Sequence, residues 1–219
     1  MKYLILFFGF FTSATFSQEN LLEDSVKKEI NYNEENYFDF SSKVLPNNPA
    51  LAIVCAVKYN GEVSNDGFNC DLTLYLVDTK TQKIISQFNQ QDKFQSDAYH
   101  LSYVKLDMAN YKVTDTIRAF GLRVGFEGSS QVYPSWSNSL SLFTIGNNKI
   151  RLILDLFPMD DLQGDWDTHC NYDGEKTESV AIMQSQKTNG YYDIAIKSTK
   201  TIGKTRAPKK RERSLHRNG

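Results

Sequence analysis

The sequence predicts a mostly β domain, a sandwich or open-barrel arrangement of about nine short antiparallel strands. Three observations carry that expectation. From Pro49 onward the chain is a series of short runs rich in Val, Ile, Leu, Tyr and Phe. Asn, Gly, Asp or Ser bounds each run, and no long segment of helical period interrupts the series.

In chain order, residues 1–17 read as a signal peptide. Lys2 supplies the positive region and Tyr3 to Phe11 an unbroken apolar run, followed by small and polar residues. The run is about half of the roughly 20 residues that a membrane-spanning helix needs. Cleavage is expected after Ser17, with a cut after Ala14 as the alternative. Residues 18–45 are acidic and Asn-rich, with one or two helical turns around Leu21 to Ile30, and are expected to lie outside the core as a weakly structured segment. The β domain is placed at 46–197, with strands at 50–58, 70–77, 83–89, 101–106, 116–126, 139–145, 149–156, 178–184 and 190–196. Three turns join neighbours into hairpins: Asp78 to Thr81, Gly146 to Asn148, and Thr188 to Gly190, where Asn and Gly accept the positive φ of tight turns. The alternation in Ile150 to Asp155 breaks in mid-strand, which predicts burial on both faces or a bulge.

Residues 198–219 form a basic tail, expected to be disordered. Residues 197–219 carry nine Lys or Arg and one acid, leaving 15 basic and 25 acidic groups on residues 18–196. An exported, acidic body argues against nucleic-acid and nucleotide-dependent roles, and after leader removal no second apolar run is long enough to span a membrane. The expected location is periplasmic or secreted.

Three cysteines enter that oxidising compartment: Cys55, Cys70 and Cys170. Asn60 to Asn69 reads as a loop between two strands, so Cys55 to Cys70 is the preferred disulfide, with either cysteine to Cys170, or no bridge at all, as the alternatives. There is no Cys-x-x-Cys and no basic partner beside a cysteine that would indicate thiol chemistry.

The densest polar cluster runs from Met159 to Glu175, with Asp160, Asp161, Asp165, Asp167, His169 and Asp173. A calcium loop is disfavoured, because His169 and Cys170 stand where an oxygen ligand and Gly belong. With only His100, His169 and His216 in the chain, a multi-histidine zinc site is disfavoured too; no metal and no cofactor are expected. His169 paired with Asp165 or Asp167 is the candidate catalytic group of a hydrolase, with or without assistance from a metal. The plainer expectation is a polar turn whose acids cap backbone amides around a packed Trp166.

A second feature is Gly128 to Asn138, expected as a long loop. There Tyr133 and Trp136, with Trp166 and the pair Tyr191 and Tyr192, are candidates for a stacking surface that binds a sugar or a peptide. Arg118 and Arg123, five apart in the preceding strand, should face opposite sides.

Five segments carry a family resemblance: Asp115 to Val124, Gly128 to Ser135, Leu140 to Phe143 with Leu152 to Asp155, Gly164-Asp-Trp-Asp-Thr-His-Cys170, and Asn189 to Asp193. Over roughly residues 70–196 the chain resembles a group of uncharacterised exported, β-rich proteins of Gram-negative bacteria. The resemblance implies a shared periplasmic β fold and brings no activity, substrate or catalytic residue. Together these readings make the chain a binding or interaction module, with an envelope protein, a glycan or an envelope-directed enzyme as partner. The hydrolase is the alternative.

Overall fold

The computed structural model describes residues 10–64 and 66–206, with side chains from Glu19 onward. Its elements are helix α1 (Phe10–Glu29) and ten strands: β1 (Tyr37–Val44), β2 (Leu51–Ser64), β3 (Gly67–Asp78), β4 (Ile84–Ser96), β5 (Tyr99–Lys112), β6 (Arg118–Gly128), β7 (Ser135–Gly146), β8 (Lys149–Trp166), β9 (Tyr172–Thr188) and β10 (Tyr191–Thr205). They form two antiparallel sheets, β1-β2-β3-β4 and β10-β9-β8-β7-β6-β5, packed as a sandwich.

The four-stranded sheet is buried on both faces. Along β2, Ile53, Cys55 and Val57 join Leu72, Leu74, Phe120, Leu122, Val124 and Phe143 between the sheets. The alternate residues Ala52, Val54 and Ala56 meet Leu22 and Val26 of α1, with Tyr75 and Val77 of β3. Two covered faces explain why β2 reads as a continuous apolar run rather than an alternating one.

This placement corrects the expectation for residues 18–45. Leu22 and Val26 lie on one face of α1 at a spacing of four, 1% and 0% exposed, and Ile30 just past the helix end continues that face. The helix stops at Asn31, whose φ of 54° is the left-handed conformation that ends helices. β1 then pairs along β2, from Lys58 to Ala52. The segment is therefore part of the core. Only residues 10–17 of the expected leader fall within the description, and they continue α1; no described helix is long and apolar enough to cross a membrane.

All nine expected strands are present, and most are longer than expected. The three hairpins form where the turn residues placed them. Asn147 and Asn148 have φ of 51° and 56°, and Asn189 and Gly190 have 52° and 86°, the paired positive values that two-residue hairpin turns require. The break in β8 is a bulged bend: register shifts occur opposite Leu140 to Phe143, Leu156 has φ 42°, Leu152 packs between the sheets, and Leu154 packs on the other side of the six-stranded sheet.

The tail also begins later than expected, because β10 runs to Thr205 paired with β9 down to Tyr172. Residues 207–219 lie outside the described residues.

The disulfide is not formed: Cys55, Cys70 and Cys170 are free. In the β2–β3 ladder Cys55 sits opposite Leu74, and Cys70 opposite Tyr59. That is a four-residue offset, roughly 13 Å along the strands, where a disulfide needs Cα atoms within about 7 Å. The hairpin closes between Ser64 and Gly67, nearer the C-terminal end of the expected loop. Gly67 is required there: its φ is 140°, and a Cβ would lie 2.1 Å from the Ser96 carbonyl oxygen.

Candidate functional site

At one end of the sandwich the long strands β8, β9 and β10 extend the six-stranded sheet, and the expected loop shrinks to residues 129–134 between β6 and β7. That loop is tied to β8 by backbone bonds: Gly164 N donates to the Pro134 carbonyl at 2.9 Å and Trp166 N to the Val132 carbonyl at 2.8 Å. A third bond, Tyr133 N to Ser130 Oγ at 3.0 Å, fixes the turn itself. Tyr133 is consequently held in place while remaining 62% exposed.

Beneath it lies a groove of about 520 Å³ lined by Tyr99, Tyr133, Pro134, Ser135, Trp136, Ser137, Asp161, Leu162, Gln163 and Gly164. Its volume falls within the roughly 300–1,000 Å³ of small-molecule sites. A cavity at the opposite end, between Leu45 to Leu51 and Thr116 to Phe120, holds only about 130 Å³.

Strand alternation decides what each residue offers. Ser135 and Ser137 are opposite Gln163 and Asp161 in the β7–β8 ladder, so these four side chains share one face. Tyr99, opposite Gly128, stacks on Phe126 with ring centroids 5.8 Å apart and planes at 16°. Trp136 is opposite Leu162, which is opposite Lys176 in turn, and the Lys176 Nζ lies 6.0 Å from the Trp136 ring centroid. Its indole therefore stands on the other face of the sheet from Ser135 and Ser137.

Trp166 shares that other face. It is opposite Tyr172, whose ring lies over the cross-strand glycines Gly164 and Gly174; a Cβ on Gly174 would be 2.0 Å from the Tyr172 hydroxyl. The structure thus brings Tyr133 and Trp136 to one groove but separates their rings, and leaves Trp166 out of it. Tyr191 and Tyr192 are farther still, at the tip of the β9–β10 hairpin, where the Tyr192 hydroxyl and Lys187 Nζ donate to Asp115 at 2.5 and 2.6 Å.

The acidic cluster is mostly strand rather than loop, since β8 runs through Trp166 and β9 starts at Tyr172. In the remaining turn, Asp167 Oδ1 accepts from the backbone amides of His169 at 2.8 Å and Asn171 at 3.0 Å, and its Oδ2 accepts from Asn171 Nδ2. Those amides hold the Asp167 carboxyl below its usual range. The His169 Nδ1 contacts the Asp167 carbonyl at 2.9 Å rather than its carboxylate. Asp165 is directly opposite Asp173 across β8–β9, where Lys204 and Arg206 supply the balancing charge to Asp173. The carboxylates near His169 are thus engaged in capping and cross-strand pairing, and neither His169 nor Asp165 lines the groove.

Asp160 has a structural role that sequence alone did not reveal. Its Oδ1 accepts from Ser179 N at 2.8 Å and its Oδ2 from Asn138 Nδ2 at 3.0 Å. The carboxylate so replaces a backbone partner where β9 leaves β8, and frees the hairpin to pack Ala181, Met183 and Ile196 onto Leu140, Leu142 and Met159.

Two charged networks brace the sheet that carries the groove. Lys93 of β4, with its side chain 3% exposed, pairs with Asp155 of β8, which also accepts from Ser141 Oγ. On the other face Asp107 Oδ2 accepts from the Tyr111 hydroxyl at 2.7 Å and Arg123 Nε at 3.0 Å. Burial raises the Asp107 carboxyl, but bonds from Ala109 N, Tyr111 and Arg123 outweigh it and leave it low. Burial, reinforced by Asp107, pushes the Tyr111 phenol up to about 12. Arg118 points elsewhere, donating to the Met108 carbonyl at 2.6 Å, so the two arginines do face opposite sides.

Tyr99 of the groove had no signal in the sequence, because only the folded β5–β6 register brings it there; Asp161 was visible as one acid among several. Among the described residues no cluster of three or more His, Cys, Asp or Glu is placed to hold a metal ion. Comparison with protein-family models, with curated proteins and with solved structures finds no match, so this chain's function rests on its own geometry.

Proposed function

We propose that the protein is an exported binding module whose groove beside Tyr133 takes a glycan segment of the cell envelope. The observation that carries this reading is an exposed tyrosine fixed by its loop's backbone bonds, above a floor of polar side chains. A sugar ring has an apolar C–H face and a rim of hydroxyls. Tyr133 and Tyr99 offer apolar contact for the first, and Ser135, Ser137, Asp161 and Gln163 offer donors and acceptors for the second. Because the Tyr133 loop is already tied down, little ordering entropy is lost when a ligand settles against it.

Export follows from the leader at residues 1–17, and cleavage after either Ser17 or Ala14 keeps Leu22 and Val26, the α1 residues that pack on the sheet. The test is a binding screen of the purified protein against oligosaccharides released from peptidoglycan and from lipopolysaccharide, alongside peptides of matched size. Saturable binding of an oligosaccharide supports the reading. Binding confined to peptides would reassign the groove to a protein partner.

A further inference from the structure

The outer edge of β10 differs from the other three sheet edges. β1 lies against α1 and β5, β4 against β5 and β8, and β5 against β1 and β4. β10 closes the six-stranded sheet with no described strand beyond it. From Ser198 to Thr205 all its residues are exposed except Gly203, and Ile202 is 65% exposed. An open edge is a row of unpaired backbone donors and acceptors, which proteins usually blunt with outward lysines. Here those cations are occupied: Lys200 pairs with Glu175, and Lys204 and Arg206 pair with Asp173, all across to β9. Between Ser198 and Thr205 both lysines are thus paired across to β9, which lowers the charge barrier along the edge.

We propose that two copies of this chain associate through this edge, β10 against β10 in antiparallel register, joining their six-stranded sheets into one. The sequence is self-complementary about a two-fold axis at Thr201. In that register Thr201 faces the partner's Thr201, Lys200 faces the partner's Ile202, Thr199 the partner's Gly203, and Ser198 the partner's Lys204. No cation opposes another. Moving the axis to Ile202 would set Lys200 against the partner's Lys204, and like charges directly opposite are destabilising. Charge therefore selects the Thr201 register over its neighbour. The Ile202 side chain, otherwise bare, gains the aliphatic stem of the partner's Lys200. An edge of about eight residues buries modest area, so the dimer is expected to be weak and concentration-dependent.

Sedimentation velocity of the purified protein from about 1 to 500 μM, a range spanning weak association, should show conversion from monomer to dimer. Thr201→Lys places two ammonium groups on the axis and should leave a monomer throughout, with unchanged circular dichroism and melting temperature. In a Cys170→Ser background, Thr201→Cys should cross-link to twice the chain mass with a short bifunctional maleimide, because directly opposed side chains lie about 5 Å apart. A protein monomeric at every concentration would overturn the proposal. So would a dimer that Thr201→Lys leaves intact, or one that Thr201→Cys fails to cross-link.

Discussion

Leu22→Ala tests whether α1 is part of the fold. Leu22 is 1% exposed and meets the apolar face of the four-stranded sheet beside Val26, Val54 and Val77. Truncating a buried Leu to Ala costs roughly 2–5 kcal/mol, from lost transfer energy and the cavity left behind. In a domain of 150–250 residues each kcal/mol moves the melting temperature by roughly 2–4 °C. A mid-range loss of about 3 kcal/mol therefore corresponds to a fall of about 6–12 °C. The neighbouring Leu21 is 53% exposed, and Leu21→Ala should stay within about 0.5 kcal/mol of the parent. Urea unfolding followed by tryptophan fluorescence, with thermal melts beside it, measures both variants. If Leu22→Ala and Leu21→Ala fall within about 0.5 kcal/mol of each other, α1 is not docked on the sheet.

Native protein should expose one reactive thiol, Cys170, to a colorimetric thiol reagent and three after denaturation without reductant, since Cys55 and Cys70 are buried and burial pushes the Cys70 thiol up to about 12; a count of one after denaturation would mean that a disulfide exists. At the Lys93–Asp155 pair, Asp155→Ala strands a buried ammonium, whereas Lys93→Met leaves a carboxylate that is 43% exposed. Asp155→Ala should cost more, though less than the roughly 3–5 kcal/mol of a fully buried pair, and equal losses in chemical denaturation would refute that asymmetry. The Tyr111 phenol, raised above its ordinary value of 10 to about 12 in the folded state, contributes stability that is complete below pH 10 and lost as pH rises toward 12. Tyr111→Phe should flatten that alkaline decline in pH-dependent melts, and an unchanged decline would assign it to other groups.

Much of the fold was legible because its strands keep strong local patterns, and the Asn and Gly residues at 147–148 and 189–190 specify their turns by a conformation few other residues adopt. β1 was not legible. In Tyr37 to Val44 the rings alternate between the two faces, Phe38 toward the inter-sheet core and Phe40 toward α1, so no single apolar face stands out among Asp39, Ser41, Ser42 and Lys43. The disulfide expectation failed on register. Facing cysteines require a turn centred between residues 62 and 63; the ladder instead pairs Asn60 with Asn69 and closes at Ser64 and Gly67, which sets Cys55 opposite Leu74. That choice depends on the approach of the Ser96 carbonyl, a contact 29 residues away in sequence.

The site shows the same division. Asp167 as an amide cap follows from local chemistry and was foreseeable. The face on which Trp136 stands depends on where β7 begins, and a loop drawn to Asn138 hid that alternation. Tyr99 and Gln163 meet in one groove only through the pairing of β5 with β6, β6 with β7 and β7 with β8.

Calorimetric titration of an envelope-derived oligosaccharide into the parent protein, Tyr133→Ala and Asp161→Asn tests the proposed glycan-binding role of the groove most directly. Truncation of an anchoring aromatic costs about 2 kcal/mol or more, so Tyr133→Ala should weaken binding by roughly 30-fold with the melting temperature unchanged, and Asp161→Asn by a smaller factor. Oligosaccharide affinity that survives both substitutions would contradict it.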